Sequence, residues 1–134
     1  LVNAKEAVLV GVGNLGRALA SYSGFERYGL HIVALFDQDP AKVGMTVGDR
    51  QVLPMTKLTS LIARLRIQMG IITVPSCAAQ DVADLMVGGA IRIIWNFAPC
   101  RLVLPESILV KNEDLAAELA TLSHHITHRT QMSH

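Results

Sequence analysis

Charge is scarce in this chain. Asp, Glu, Lys and Arg make up 17% of its 134 residues and apolar residues 51%, whereas soluble domains carry about 25% charged residues. A surface so short of charge is expected to be covered in part by a partner, most simply a second copy of the chain. The charges also lack a dominant sign. The net charge is +1 and the Lys and Arg residues are scattered, so no basic patch tracks a phosphate backbone and these residues are not expected to bind DNA themselves. No apolar run approaches the roughly 20 residues that cross a bilayer, and no signal-peptide pattern is read, so the expectation is a cytoplasmic protein with no membrane partner. Cysteine is nearly missing: Cys77 and Cys100 have no C-x-x-C spacing, which excludes a disulfide framework and a cysteine zinc site. Each follows a strand end. Buried packing is the plainer role for both, a redox thiol the alternative.

What is present is a strong alternation of strand and helix patterns. A chain of 134 residues makes one domain with a single substantial core. Five nearly continuous apolar runs read as strands at Ala7–Val12, His31–Phe36, Gly70–Val74, Arg92–Trp95 and Ile108–Lys111, with an added edge strand around Gln51-Val52-Leu53. Such runs suit parallel strands covered on both faces. Between them, Leu15, Ala18, Leu19 and Tyr22 recur at helical spacing. Thr56 stands as a cap before Leu58, Leu61, Ile62 and Leu65, and Ala78, Val82, Leu85 and Met86 form another stripe ending at Gly88-Gly89. The fold class is α/β: a Rossmann-type, doubly wound, mainly parallel sheet.

One motif carries chemistry. Gly11-Val12-Gly13-Asn14-Leu15-Gly16 follows the first strand and opens a helix, and Phe36-Asp37 ends the next strand about 20 residues further on. Gly11 permits the sharp turn, Gly13 leaves the main chain bare toward a pyrophosphate, and Gly16 lets the helix lie close to the strand. Unpaired N–H groups of the first helical turn suit the anion. Asp37 is placed to accept from the adenosine ribose hydroxyls, or else simply caps the turn Asp37-Gln38-Asp39-Pro40. With Asp39 beside it and no Arg or Lys between Phe36 and Ala41, a 2′-phosphate is disfavoured, so NADH/NAD+ is the expected cofactor.

In an open parallel sheet the ligand lies beyond the carboxyl ends of the strands. That puts Thr73-Val74-Pro75-Ser76 and Asn96-Phe97-Ala98-Pro99 near the cofactor, although prolines end strands without any ligand too. A small dehydrogenase would need an acid–base group near the nicotinamide. His31 begins a strand, His124, His125, His128 and His134 lie in the last segment, and Lys5, Lys42, Lys57 and Lys111 are not at strand carboxyl ends, so no enzyme is expected. A coenzyme A or nucleotide-binding domain is the third reading. The late histidines read as solvated rather than as a metal site.

Taken in order, Gly11-Val12-Gly13-Asn14-Leu15-Gly16-Arg17-Ala18-Leu19, Tyr22 with Gly24-Phe25, Phe36-Asp37-Gln38-Asp39-Pro40, Ile71-Ile72-Thr73-Val74-Pro75, Asn96-Phe97-Ala98-Pro99 and Asn112-Glu113-Asp114-Leu115 resemble the NAD(H)-binding domain of the Rex family of redox-sensing transcriptional repressors. The resemblance implies a homodimer that releases its operator when NADH binds, and DNA contact only through a winged-helix domain with no counterpart in this chain. It divides the chain into a connector remnant (1–6), the Rossmann domain (7–114), a dimerisation helix (115–128) and a flexible tail (129–134). The resemblance further implies that the last helix crosses to the partner. Its stripe Leu115, Leu119, Leu122 and Ile126 would equally suit packing on its own sheet. Tyr22 and Asp114 match a redox-dependent hydrogen-bonded pair, Tyr22 alternatively completing its helix's apolar stripe. Leu115 stands where some members carry an aromatic residue near the partner's nicotinamide. An apolar pocket of Phe97, Ala98, Pro99 and a partner's Leu115 would disfavour the cationic oxidised ring and accept the neutral reduced one, so NADH is expected to bind more tightly than NAD+.

Overall fold

The structure, a computed structural model, describes residues 5–113. Asp114, Leu115, the stripe that follows and the late histidines lie outside the described residues. Seven strands, β1 (Lys5–Val10), β2 (Leu30–Asp37), β3 (Thr46–Val47), β4 (Arg50–Pro54), β5 (Met69–Ile72), β6 (Ile93–Asn96) and β7 (Leu109–Asn112), form one sheet in the order β3-β4-β2-β1-β5-β6-β7. All neighbours are parallel except the short β3–β4 hairpin. The run around Gln51–Leu53 is therefore not an edge: β4 lies between β2 and β3. The helices are α1 (Asn14–Ala20), α2 (Gly24–Arg27), α3 (Leu58–Leu65) and α4 (Ser76–Gly88).

Alternation along each strand divides the core between the two faces of the sheet. Val8, Val10, Phe36, Ile72 and Ile94 pack with Leu58 and Ile62 of α3 and Ala79, Val82, Ala83 and Met86 of α4. Ala7, Leu9, Ile32, Leu35 and Ile71 face the other side, toward Leu19, Phe25, Trp95 and Phe97. The buried stripe of α4 is thus rotated from the sequence reading: Ala79 and Ala83 point inward and Leu85 is 40% exposed. Small side chains there let the helix sit close to β5, where a side chain on Gly70 would collide with the Met86 sulfur. Thr56 is not a cap either. It lies in a 3-10 turn, Met55–Lys57, that precedes α3 and has no side-chain capping bond.

α1 ends at Ala20, because Ser21-Tyr22-Ser23-Gly24 offers weak helix formers and the Ser21 N–H closes onto the Arg17 carbonyl. Tyr22 therefore lies beyond the helix, 55% exposed rather than buried with Leu19. Its ring folds over the backbone of Gly24 and meets Phe25 edge-on, centroids 4.9 Å apart. Phe25 continues to Trp95 (5.9 Å) and Trp95 to Phe97 (4.8 Å), a row of aromatic rings across one face.

The β6–β7 crossover, residues 97–108, contains no helix. Gln80 of α4 holds it with paired bonds, Nε2–H to the Val103 carbonyl (2.9 Å) and Oε1 from the Val103 N–H (2.8 Å). Among the described residues, no helix is long and apolar enough to cross a membrane.

α4 closes with Ala90 at φ 72, a left-handed conformation in a residue that carries a Cβ. The position just beyond a helix favours glycine. Ala90→Gly is expected to raise stability by about 0.5–1 kcal/mol, the relief of that strain less the added freedom of the unfolded chain. Thermal unfolding followed by circular dichroism checks it.

Candidate functional site

The chain runs outward from β1 to β2 and on to β3, steps back to β4 between them, then crosses to β5 on the other side of β1. The direction of winding thus reverses between β1 and β5, the place where ligands bind in such sheets. A cleft of about 420 Å³ opens there. The glycine loop (Gly11, Gly13), the end of β2 (Asp37 to Asp39, with Lys42) and the end of β5 (Thr73 to Pro75) form its walls.

The three glycines have different physical reasons. Gly11 has φ 105, and a Cβ there would lie 2.6 Å from the Thr73 carbonyl oxygen. A Cβ on Gly16 would lie 1.8 Å from the Gly11 carbonyl oxygen. Around Gly13, by contrast, a Cβ would meet nothing within 4 Å, so this glycine leaves open space in the cleft wall. Asn14, exposed, and Leu15, half-buried, form the first turn of α1, ahead of the first helical bond from Arg17 N–H to the Gly13 carbonyl (2.9 Å).

Asp37 locks this loop to β2. Its Oδ2 accepts the Val12 N–H at 2.8 Å and its Oδ1 the Asp39 N–H at 2.9 Å, with the residue only 8% exposed. The turn-capping bond of the plainer reading is therefore present, together with a bond across 25 residues of chain. A carboxylate offers about four acceptor directions, so both oxygens keep capacity for a ligand hydroxyl. Val12 itself is buried, its N–H already taken. The Phe36 side chain is fully buried in the core under α3 and α4, and its carbonyl accepts the Gly11 N–H at 2.9 Å.

The Thr73 hydroxyl lies 2.6 Å from the Gly11 carbonyl and 3.0 Å from that of Val10, so its proton serves the loop. Val74 is buried and Pro75 exposed. The 96–98 segment does not share this cleft. Ala98 lines a separate recess of about 450 Å³ with Pro99, Cys100, Arg101, Asn112 and Glu113, while Phe97 packs beside Trp95.

Asn96 is fully buried and committed to the protein. Its Oδ1 accepts the Ala98 N–H (3.0 Å), and its Nδ2 lies within bonding distance of the carbonyls of Ala98 and Cys100 (3.2 Å each) and of Asn112 Oδ1 (3.1 Å). It shapes the loop and ties β6 to β7. Asn96→Ala would strand the buried Ala98 N–H, so a loss of about 2–3 kcal/mol is expected by chemical denaturation.

Lys42, the Val12–Asp37 bond, the role of Asn96 and the Gln80 brace have no local sequence signal, because each depends on residues brought together by the sheet. Cys77 is exposed rather than packed, and Cys100 is half-buried against the core. Among the described residues no group of three His, Cys, Asp or Glu could hold a metal ion.

A glycine loop at the reversal point of a mainly parallel sheet defines a Rossmann-type nucleotide-binding domain, and the chain belongs to the CoA binding domain family, which matches residues 2–100. Within that class its likeness is to the redox-sensing transcriptional repressors called Rex, as the ordered motifs imply. The Rex of Clostridium beijerinckii is 44% identical over 117 residues, covering 87% of this chain and 56% of the relative. RSP, a Rex-family repressor, has been solved with beta-NADH and with beta-NAD+ and operator DNA. Those structures superpose with TM-scores of 0.89 and 0.88 at 32% identity, over 98% of this chain and 64% and 60% of theirs. The chain spans somewhat over half the length of the relatives it matches. By name these relatives are repressors.

Proposed function

We propose that this chain is the NADH/NAD+-sensing part of a cytoplasmic redox-responsive repressor. The observation that carries the reading is the cleft at the sheet's reversal point, where Gly13 stands open and Asp37 holds the glycine loop beside a free acceptor edge. There the loop of Gly11, Val12, Gly13, Asn14, Leu15 and Gly16 would line the pyrophosphate, the N–H groups of Gly11 and Val12 being committed to the Phe36 carbonyl and to Asp37. The main chain at Phe36 would hold Asp37 against the adenosine ribose, and Thr73, Val74 and Pro75 would flank it. Phe97 and Ala98, held by Asn96, would border the nicotinamide end. The nicotinamide supplies a ring that is cationic when oxidised and neutral when reduced. An apolar surround discriminates between the two by desolvation, and only such a difference in affinity can shift a conformational equilibrium.

The chain would act as a homodimer. On the α1 side of the sheet, Ile93 and Leu109 share a face beyond Trp95, which Phe25 of α2 meets, and Leu109 is 66% exposed. The segment 115–128, with Leu115 entering the partner's pocket and Tyr22 paired to Asp114, is proposed to complete that face. Operator contact would belong to a winged-helix domain outside this sequence.

The family description favours coenzyme A as the second reading. Titrating NADH, NAD+ and coenzyme A while following Trp95 fluorescence, with light-scattering mass in parallel, separates the two. NADH binding tighter than NAD+, one per protomer of a dimer, is the expected result. Equal affinities would remove the sensor, and saturable binding of coenzyme A alone would replace it.

A further inference from the structure

The walls of the cleft hold two acidic side chains and one basic one. Asp37 and Asp39 stand at its β2 end, and each fixes a neighbouring N–H: Asp37 those of Val12 and Asp39, and Asp39 that of Ala41 at 2.9 Å. Those bonds hold both carboxylates in place beside the space where a pyrophosphate would sit. Among the described residues, the one basic side chain in the same wall is Lys42. It is half-buried, and among the described residues it has no carboxylate within 4.0 Å, although two acids lie three and five positions before it. Its placement does not depend on its ammonium group. The backbone turn from Asp39, with Lys42 N–H on the Asp39 carbonyl at 2.9 Å, brings it to the cleft. A half-buried lysine with no ion-pair partner among the described residues, beside an anion-sized space, is poised for a ligand's negative charge.

We propose that Lys42 supplies the counter-charge for the diphosphate bridge of an ADP-containing ligand, and so sets the affinity of this cleft without sensing redox state. This rests on the reading of the cleft as a dinucleotide site and adds a residue to it. Lys42 offsets the acidic wall that Asp37 needs for the ribose. Because it acts on the half of the ligand common to both redox forms, it changes NADH and NAD+ binding together. A 2′-phosphate would meet Lys42 and Asp37 at once, so the acid, not an absence of basic residues, carries the discrimination against it.

The test compares the chain with Lys42→Gln and Lys42→Arg, each titrated calorimetrically with ADP-ribose, NAD+ and NADH. The titrations run at ionic strengths of about 0.01 M and about 1 M, between which the screening length falls from ~30 Å to ~3 Å. Lys42→Gln is expected to weaken all three ligands about tenfold at low salt, to flatten the salt dependence, and to leave the NADH to NAD+ affinity ratio unchanged. Lys42→Arg should retain both affinity and salt dependence. Unchanged affinity in Lys42→Gln, or a change confined to one redox form, overturns the proposal while the cleft reading stands. Failure of the unsubstituted chain to bind any of the three overturns the cleft reading and this proposal together. Thermal unfolding of the variants without ligand, expected to match the parent, keeps a folding defect apart from a binding one.

Discussion

Gly16→Ala is expected to lower the thermal midpoint by roughly 10 °C or more, whereas Gly13→Val leaves it nearly unchanged and weakens NADH binding about a hundredfold. Both glycines belong to one loop, yet their surroundings are opposite. At Gly16 the added carbon falls 1.8 Å from the Gly11 carbonyl oxygen and 2.9 Å from Thr73 Oγ1. Neither the main chain nor the hydroxyl that bonds it can give way, so α1 must lift off β1. Overpacking of this kind costs about 3 kcal/mol. Gly13 has φ −86 and ψ −159, a conformation open to any residue, and a Cβ added there would have nothing within 4 Å. A valine there fills only the space a ligand would use. Paired calorimetric melts and NADH titrations of the two variants check both halves. Substantial NADH affinity in Gly13→Val would place the ligand elsewhere.

Asp37→Asn is expected to lose about 1–3 kcal/mol of stability and to bind NADH at least tenfold more weakly. The carboxylate accepts one N–H on each oxygen, from Val12 and from Asp39. An amide has a single oxygen, so one of these donors would face an NH₂ group. The ribose would lose its charged acceptor at the same time. Asp37→Ser carries the specificity arm of the same prediction. Two like charges about 4 Å apart repel by about 4 kcal/mol at an effective dielectric of 20, and removing Asp37 leaves one acid, Asp39, against Lys42 in the wall that a 2′-phosphate would meet. The preference for NADH over NADPH should therefore shrink about tenfold or more, as measured by competing titrations. An unaltered preference would assign the discrimination to another residue.

Much of the sheet was legible because parallel strands buried on both faces leave unbroken apolar runs. Val8-Leu9-Val10, Leu35-Phe36 and Ile71-Ile72 are buried throughout. The placing of Asp37 was legible for a similar reason: a charged residue ending such a run marks the strand's carboxyl end. Helix faces were less so. Leu65, the last residue of α3, and Leu85 fit apolar stripes yet stand 48% and 40% exposed, Leu85 because the alanines of α4 turn a different face to the sheet. Tyr22 continued the spacing of α1 past the point where Ser21 ends it. The role of Asn96 could not be foreseen at all, since an amide that folds a loop and one that touches a ligand look the same in sequence.

The aromatic row has a practical corollary. Tyr22, Phe25, Trp95 and Phe97 touch in series, while Phe36 lies across the sheet and Tyr28 is 84% exposed. Near-ultraviolet dichroism of this protein should consequently arise almost wholly from one side of the molecule, with the indole and a single phenol coupled through the intervening ring. Any displacement of the Tyr22 segment would register at Trp95 as altered energy transfer, giving an optical gauge of that region that needs no attached label.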